Sequence, residues 1–219
     1  LDQNSLDYIV CLHGEQDHSG MLPLLLDVFP MAKVVTNEVC KGLLVEMHNL
    51  YEMDDRFIIV GQDDTIDLGG KTLKFYLAPW VHWPDTMFAE VVEDKVLFTS
   101  DFLGTHYASE TLFQNDDLPD YLEAAKRYYA AIMMPFRASV REYLELVKTI
   151  DPKIIAPSHG PVLKMPAKIV DLYADWSSET PKNKVVVAYV SMHGSTKQMA
   201  SFLVDALIQR GVPVNQYNL

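Results

Sequence analysis

The chain has 219 residues, about half of them hydrophobic and 22% charged, a globular composition sufficient for one large domain or one domain and part of another. The formal charge is −12, from 30 acids against 18 bases. No basic stripe is visible, which argues against a nucleic-acid partner, and no run approaches the ~20 apolar residues of a membrane span.

The opening residues, Leu-Asp-Gln-Asn-Ser, lack the basic start and long apolar core of a secretory leader. The chain enters a strand within a few residues, as if starting inside a domain. Tyr8–Leu12 is a short apolar strand that runs into the polar loop His-Gly-Glu-Gln-Asp-His. Ser19–Phe29 reads as a helix with an apolar face of Leu24, Leu25, Val28 and Phe29. Ala32–Val35 is a strand, and Asn37 caps a helix running to about His48. Ile66–Ala78 reads as a hairpin turned at Gly69-Gly70, and Phe88–Val92 with Val96–Thr99 as a second one turned at Glu93-Asp94. Asp120–Ile150 is helical, broken at Pro135, which lacks the amide proton a helix interior needs. Lys153–Ala156 is a strand ending in Pro-Ser-His-Gly, and Pro166–Trp176 is a helix. Ser177–Asn183 is polar and contains a proline, as a linker would. A βαβ beginning follows, with strand Lys184–Val190, helix Thr196–Arg210 and strand Pro213–Tyr217. Strand-helix units mixed with hairpins predict an α/β sandwich. The two cysteines, Cys11 and Cys40, are far apart in sequence and have no metal-ligand spacing. They predict a reducing, cytoplasmic setting, with Cys11 as a small buried hydrophobe.

Four of the seven histidines, His13, His18, His82 and His159, fall in polar loops just after apolar strands, where functional side chains tend to sit. Glu15 and Asp17 stand between the first two. In an extended segment, positions 13, 15 and 17 point to one side. Carboxylates crowded there without a cation would repel one another and raise each other's pKa. The cluster therefore predicts bound metal.

His13-Gly14-Glu15-Gln16-Asp17-His18 resembles the His-x-Glu-x-Asp-His motif of flavodiiron proteins, a branch of the metallo-β-lactamase fold fused to a flavodoxin-like domain. Further ligand positions of that family are matched by His82 after 63 intervening residues, Asp101 after 18 more and His159 after 57 more. The surroundings match too: Trp80-Val-His82-Trp-Pro-Asp, Ser100-Asp101-Phe-Leu-Gly-Thr-His106 and Ala156-Pro-Ser-His159-Gly-Pro. The resemblance implies two irons. His13, Glu15, His82 and Asp101 would hold one, Asp17, His18, Asp101 and His159 the other, with Asp101 bridging. It also gives catalytic-pocket roles to His106 and to Tyr129, for which helix packing is the competing role. His48 reads as a surface or capping residue. A binuclear zinc hydrolase of the same fold is the alternative; Glu15 argues against it, because hydrolytic relatives carry a histidine there. A carboxylate makes the site harder and better suited to iron or manganese.

Ser191-Met192-His193-Gly194-Ser195-Thr196 lies between a strand and a helix, and its hydroxyls, backbone amides and helix N-terminus form a phosphate cradle. Within the resemblance it is the FMN-phosphate loop, with His193 where the family often has an aromatic. The implied architecture is a metallo-β-lactamase-like αβ/βα sandwich over residues 1–178 lacking its first strands, a linker at 179–183, and the start of a doubly wound flavodoxin-like domain at 184–219. So short a piece should not hold FMN by itself. The implied reaction reduces dioxygen to water or nitric oxide to nitrous oxide, the two gases sharing the same seven ligands. Electrons would come from FMN, supplied in turn by rubredoxin, its reductase or a reduced deazaflavin. A head-to-tail homodimer or dimer of dimers would bring a partner's FMN to the irons.

Overall fold

In the computed structural model, residues 5–114, 119–180 and 183–219 are described. They fall into two compact units, Leu1–Ser177 and Ser178–Leu219. The expected linker at 179–183 lies partly outside the described residues.

The first unit begins with three parallel strands, β1 (Tyr8–Val10), β2 (Lys33–Thr36) and β3 (Phe57–Ile59), paired in that order. Helices α1 (Gln16–Ser19) and α2 (Leu22–Val28) connect β1 to β2, and α3 (Glu38–His48) connects β2 to β3. Alternation along β2 decides which core each residue joins. Val34 packs with Cys11, Leu22, Leu26, Cys40 and Leu44 beneath the helices. Val35 faces the other way, toward Phe75, Met87 and Ala89 of a second sheet. The β3 strand was not anticipated, although Phe57-Ile-Ile-Val60 before Gly61 is a short apolar run ending at a turn residue. The two cysteines, distant in sequence, meet in this core as free buried thiols of one hydrophobic cluster.

The second sheet has five strands in sequence order: β4 (Thr65–Asp67), β5 (Thr72–Leu77), β6 (Met87–Val91), β7 (Val96–Phe98) and β8 (Ile154–Ala156). All pairs are antiparallel except β7–β8, whose connection carries the long helical segment. Both expected hairpins are present. Tyr76, Phe88, Leu97 and Ile155 point away from the first sheet and pack under α4 (Pro119–Tyr128), α5 (Arg137–Ile150) and α6 (Ala167–Ser177). The layers thus run helix, sheet, sheet, helix, and both sheets aim their strand ends at one rim. The break expected at Pro135 is gradual. A π-helical stretch, Tyr129–Met133, and a 3-10 turn, Met134–Phe136, lead from α4 into α5. Pro135 sits in the first turn of the latter, where its missing amide costs little.

The second unit is β9 (Val185–Tyr189), α7 (Ser195–Ile208) and β10 (Val214–Asn218), with β9 and β10 parallel. Among the described residues, no helix is long and apolar enough to cross a membrane.

Candidate metal centre

Every residue of the first-unit cluster leaves the end of an element at the common rim. His13 follows β1. The sequence places 13, 15 and 17 along one extended edge, and the structure corrects this. Glu15 is extended (φ −56°, ψ 145°), but α1 begins at Gln16, with the amides of His18 and Ser19 closing onto the Glu15 carbonyl at 3.0 and 2.9 Å. That helical turn carries Asp17 and His18 over the rim to a second position. His82 comes from the β5–β6 loop, which is tightened by the Trp80 amide donating to the Trp83 carbonyl at 2.7 Å. Asp101 follows β7, and His159 follows β8.

The last two loops are tied together. The Ser158 amide donates to the Ser100 carbonyl (2.7 Å), and the Thr105 amide to the His159 carbonyl (3.1 Å). Gly160 permits the approach. Its φ is +82°, and a Cβ there would meet the Thr105 carbonyl oxygen at 2.7 Å.

The donors separate into two groups able to hold a metal ion each: His13, Glu15, His82 and Asp101, then Asp17, His18 and His159. Asp101 lies between them. Its Oδ2 is 3.0 Å from His82 Nε2 and 3.7 Å from His13 Nε2. Its Oδ1 is 2.9 Å from His18 Nε2 and 3.3 Å from His159 Nε2. Glu15 closes the first group, 3.2 Å from His13 and 3.4 Å from His82. Asp17 closes the second, 3.1 Å from His159. All four histidines present Nε2 to the interior of the cluster.

Electrostatics shows the same convergence. Burial works against a charge on Asp101, yet its His18 and His82 contacts outweigh that and hold the carboxyl well below the usual carboxylate range. Burial also opposes charge on His13 and His18. Asp85 and Asp101 respectively prevail, and both imidazoles bind protons more tightly than a free histidine. Among the described residues, Asp101 Oδ1 and His18 Nε2 are buried without an aligned hydrogen bond, despite standing 2.9 Å apart. Buried polar atoms normally find partners. Four imidazole nitrogens and three carboxylates converging around misaligned atoms fit a pair of cations. The Glu15–Asp17 side opens onto a cavity of about 560 Å³ shared with Gln16, Met47 and Trp83.

Four neighbours were not anticipated. Asp85, fully buried, lies 3.1 Å from His13 Nδ1. It falls within the segment quoted for His82, but nothing in its spacing points to His13. Trp83 packs edge-on against His13, with ring centroids 5.0 Å apart. Ser19 donates to the Gly14 carbonyl (2.7 Å) and receives His48 Nε2 at 2.8 Å, so His48 braces the ligand loop rather than merely ending a helix.

The fourth is Tyr128, which corrects the expected placement of Tyr129. Tyr128 donates to the Asp101 carbonyl at 3.2 Å and packs edge-on against His106 at 4.8 Å. Tyr129 turns instead into the helical core against Tyr173 and Trp176. Successive helical side chains diverge by about 100°, so only one of the pair can face the rim. His106 is exposed beside His159, with centroids 5.3 Å apart.

In the second unit, Gly194 caps α7 in the left-handed region (φ +86°), and its amide donates to Ser191 Oγ at 3.0 Å. Met192, His193, Ser195 and Thr196 are exposed around that turn.

A two-sheet sandwich flanked by helices, with a histidine–carboxylate cluster at its strand ends, defines a metallo-β-lactamase-like domain. Residues 1–160 match the family model described as ODP family beta lactamase. The chain is 38% identical to the coenzyme F420H(2) oxidase of Methanothermobacter marburgensis over 98% of its own length and 54% of that protein's. It is 35% identical to the nitric oxide reductase of Moorella thermoacetica over 100% of its length and 55% of that protein's. It superposes on rubredoxin oxygen:oxidoreductase from Desulfovibrio gigas with a TM-score of 0.90 at 29% identity, covering 99% of this chain and 55% of that one. The chain belongs to the flavodiiron protein family. It spans about half the length of the relatives it matches.

Proposed function

We propose that this chain carries the diiron centre of an oxidoreductase that reduces dioxygen to water or nitric oxide to nitrous oxide with electrons from FMN. The observation that carries the reading is the division of Asp101. One carboxylate oxygen faces each donor group, so seven residues serve two metal positions. His13, Glu15 and His82 would hold one iron, Asp17, His18 and His159 the other, and Asp101 both. When bound, two ferrous ions supply two electrons and open coordination positions for a diatomic gas. Dioxygen reduction to two waters takes four electrons, two of them from reduced FMN, whereas two molecules of nitric oxide going to nitrous oxide and water take two.

The protein contributes placement. Ser158–Ser100 and Thr105–His159 backbone bonds fix the loops, and Tyr128 holds the Asp101 carbonyl. His106 stands at the exposed edge beside His159, where it would line the gas pocket. Exposed Trp80 stacks on Phe136 (centroids 6.1 Å apart) two residues from His82, an aromatic face on which a redox partner could dock. The turn Ser191, Met192, His193, Gly194, Ser195, Thr196 would seat the FMN phosphate, with the first-turn amides of α7 as donors. Rubredoxin, which appears in the name of the Desulfovibrio neighbour, and a reduced deazaflavin, which F420H2 is, are the electron donors that the relatives' names support.

The competing zinc-hydrolase reading requires chemistry that none of these relatives' names describe, and Glu15 supplies an oxygen donor where that reading wants imidazole. Metal analysis of protein purified from iron-replete cells, with steady-state consumption of each gas under a supplied reductant, tests the proposal. Two irons per chain and turnover of at least one gas support it. Zinc-only activity on a lactone, thioester or phosphodiester would overturn it.

A further inference from the structure

We propose that Asp85 makes the two metal positions unequal. Acting through His13, it strengthens the His13–Glu15–His82 position, which therefore fills first. This rests on the two-metal reading above and adds to it an order of loading and the positioning residue that sets it.

Asp85 is the only carboxylate that meets a cluster histidine on the side away from the metal position, among the described residues. Both of its oxygens lie 3.1 Å from His13 Nδ1. The carboxylate contacts of His18, His82 and His159 all run through Nε2, the atom turned inward. A proton on His13 Nδ1, donated to Asp85, leaves Nε2 with the free lone pair, and Nε2 is the atom 3.2 Å from Glu15 and 3.7 Å from Asp101. The bond thus selects the ligating tautomer. A carboxylate on that proton also makes the opposite nitrogen a stronger donor, and loss of such a partner typically costs 10–100-fold in metal affinity.

Asp85 is placed to do this without freedom to move. Its Oδ2 accepts the Gly14 amide at 2.6 Å, which holds the backbone beside His13. Asn37 Nδ2 donates to the Asp85 carbonyl at 2.6 Å, while Asn37 Oδ1 accepts the Cys40 amide as the cap of α3. Two side chains, Asn37 and Asp85, therefore register a helix, the His82 loop and the His13 loop together. His18, His82 and His159 have no equivalent brace among the described residues, so their ring orientation and donor strength depend on the cluster alone.

The test is a stepwise Co(II) titration of the metal-free protein, read by ligand-field absorption and by the paramagnetically shifted imidazole N–H resonances in proton NMR. The first equivalent should shift His13 and His82 signals and leave those of His159, and a slowly exchanging His13 Nδ1–H should be among the shifted signals. Asp85→Asn should weaken the first step by about 10–100-fold and leave the second, so that the two steps converge. If the first equivalent divides evenly between the positions in the unaltered protein, the proposal is overturned, and this holds even should Asp85→Asn not fold. It is equally overturned if Asp85→Asn weakens both steps alike. An unaltered protein that takes up fewer than two Co(II) per chain would instead overturn the two-metal reading itself.

Discussion

At the scale of single residues, Asp101 is the side chain whose loss both groups would feel. Its oxygens are shared between His82 and His18, and it is almost wholly buried. Asp101→Ala should reduce bound metal from two per chain toward none, measured by elemental analysis after gel filtration. His48→Ala removes only the brace on Ser19, worth about 1 kcal/mol, and should leave both metals in place. The same residues predict a pH dependence for the metal-free protein. His13 and His18 have raised pKa values when folded, so their contribution to stability is complete below about 6.5 and is lost as pH rises through the folded values. Asp101 has a depressed pKa, so its contribution is complete above about 4 and is lost as pH falls through the folded value. Metal-free protein should therefore be most resistant to urea between roughly pH 4 and 6.5. Metal replaces the imidazole protons, so loaded protein should keep its midpoint above that window. A metal-free midpoint that rises from pH 6.5 to 8 would contradict this.

At the scale of elements, the α4–α5 passage separates two adjacent tyrosines. The phenol of Tyr128 reaches the Asp101 carbonyl, whereas that of Tyr129 is buried with no hydrogen-bond partner among the described residues. Tyr128→Phe should cost about 1 kcal/mol and loosen metal binding, because the Asp101 loop loses its tether. Tyr129→Phe removes an unsatisfied hydroxyl and should be neutral or slightly stabilising, with metal content unchanged. Thermal melts and metal analysis of the pair decide the point; matching losses in both variants would refute the assignment. The β8 loop offers a second case. Gly160→Ala would place a methyl 2.7 Å from the Thr105 carbonyl at a φ of +82°. Left-handed backbone alone costs a non-glycine residue about 1–2 kcal/mol, and relief of the clash would move His159. The variant should melt lower and lose metal first from the position proposed for Asp17, His18 and His159.

At the scale of the whole molecule, the two units carry different features. The first carries a complete cluster on its rim, while the second presents one βαβ element with a phosphate-type turn at Gly194. The proposed reaction would need a flavin near the rim, and the exposed Trp80, stacked on half-buried Phe136 beside His82, is where the proposed second subunit would dock. Sedimentation of the active protein at assay concentration should show a dimer or a dimer of dimers. A monomer with undiminished gas turnover would refute the head-to-tail arrangement.

Sequence alone was enough to locate most elements and all seven cluster residues, because both leave local marks. Asn37 before an apolar helix, Gly69-Gly70 between strands, and histidines after apolar runs each state their role within a few positions. The His-x-Glu-x-Asp-His motif then named the family. What required the tertiary structure was every relation between distant segments. Whether Asp17 lies along the strand edge or on a helical turn depends on how α1 closes onto Glu15. Whether Tyr128 or Tyr129 faces the rim depends on the phase of a helix that passes through a π turn. Asp85 meets His13 across 71 intervening residues, and Cys11 meets Cys40 across 28. Such pairs carry no mark in spacing or composition. They arise because two sheets pack face to face and bring their strand ends to one rim, and that packing is a property of the folded chain.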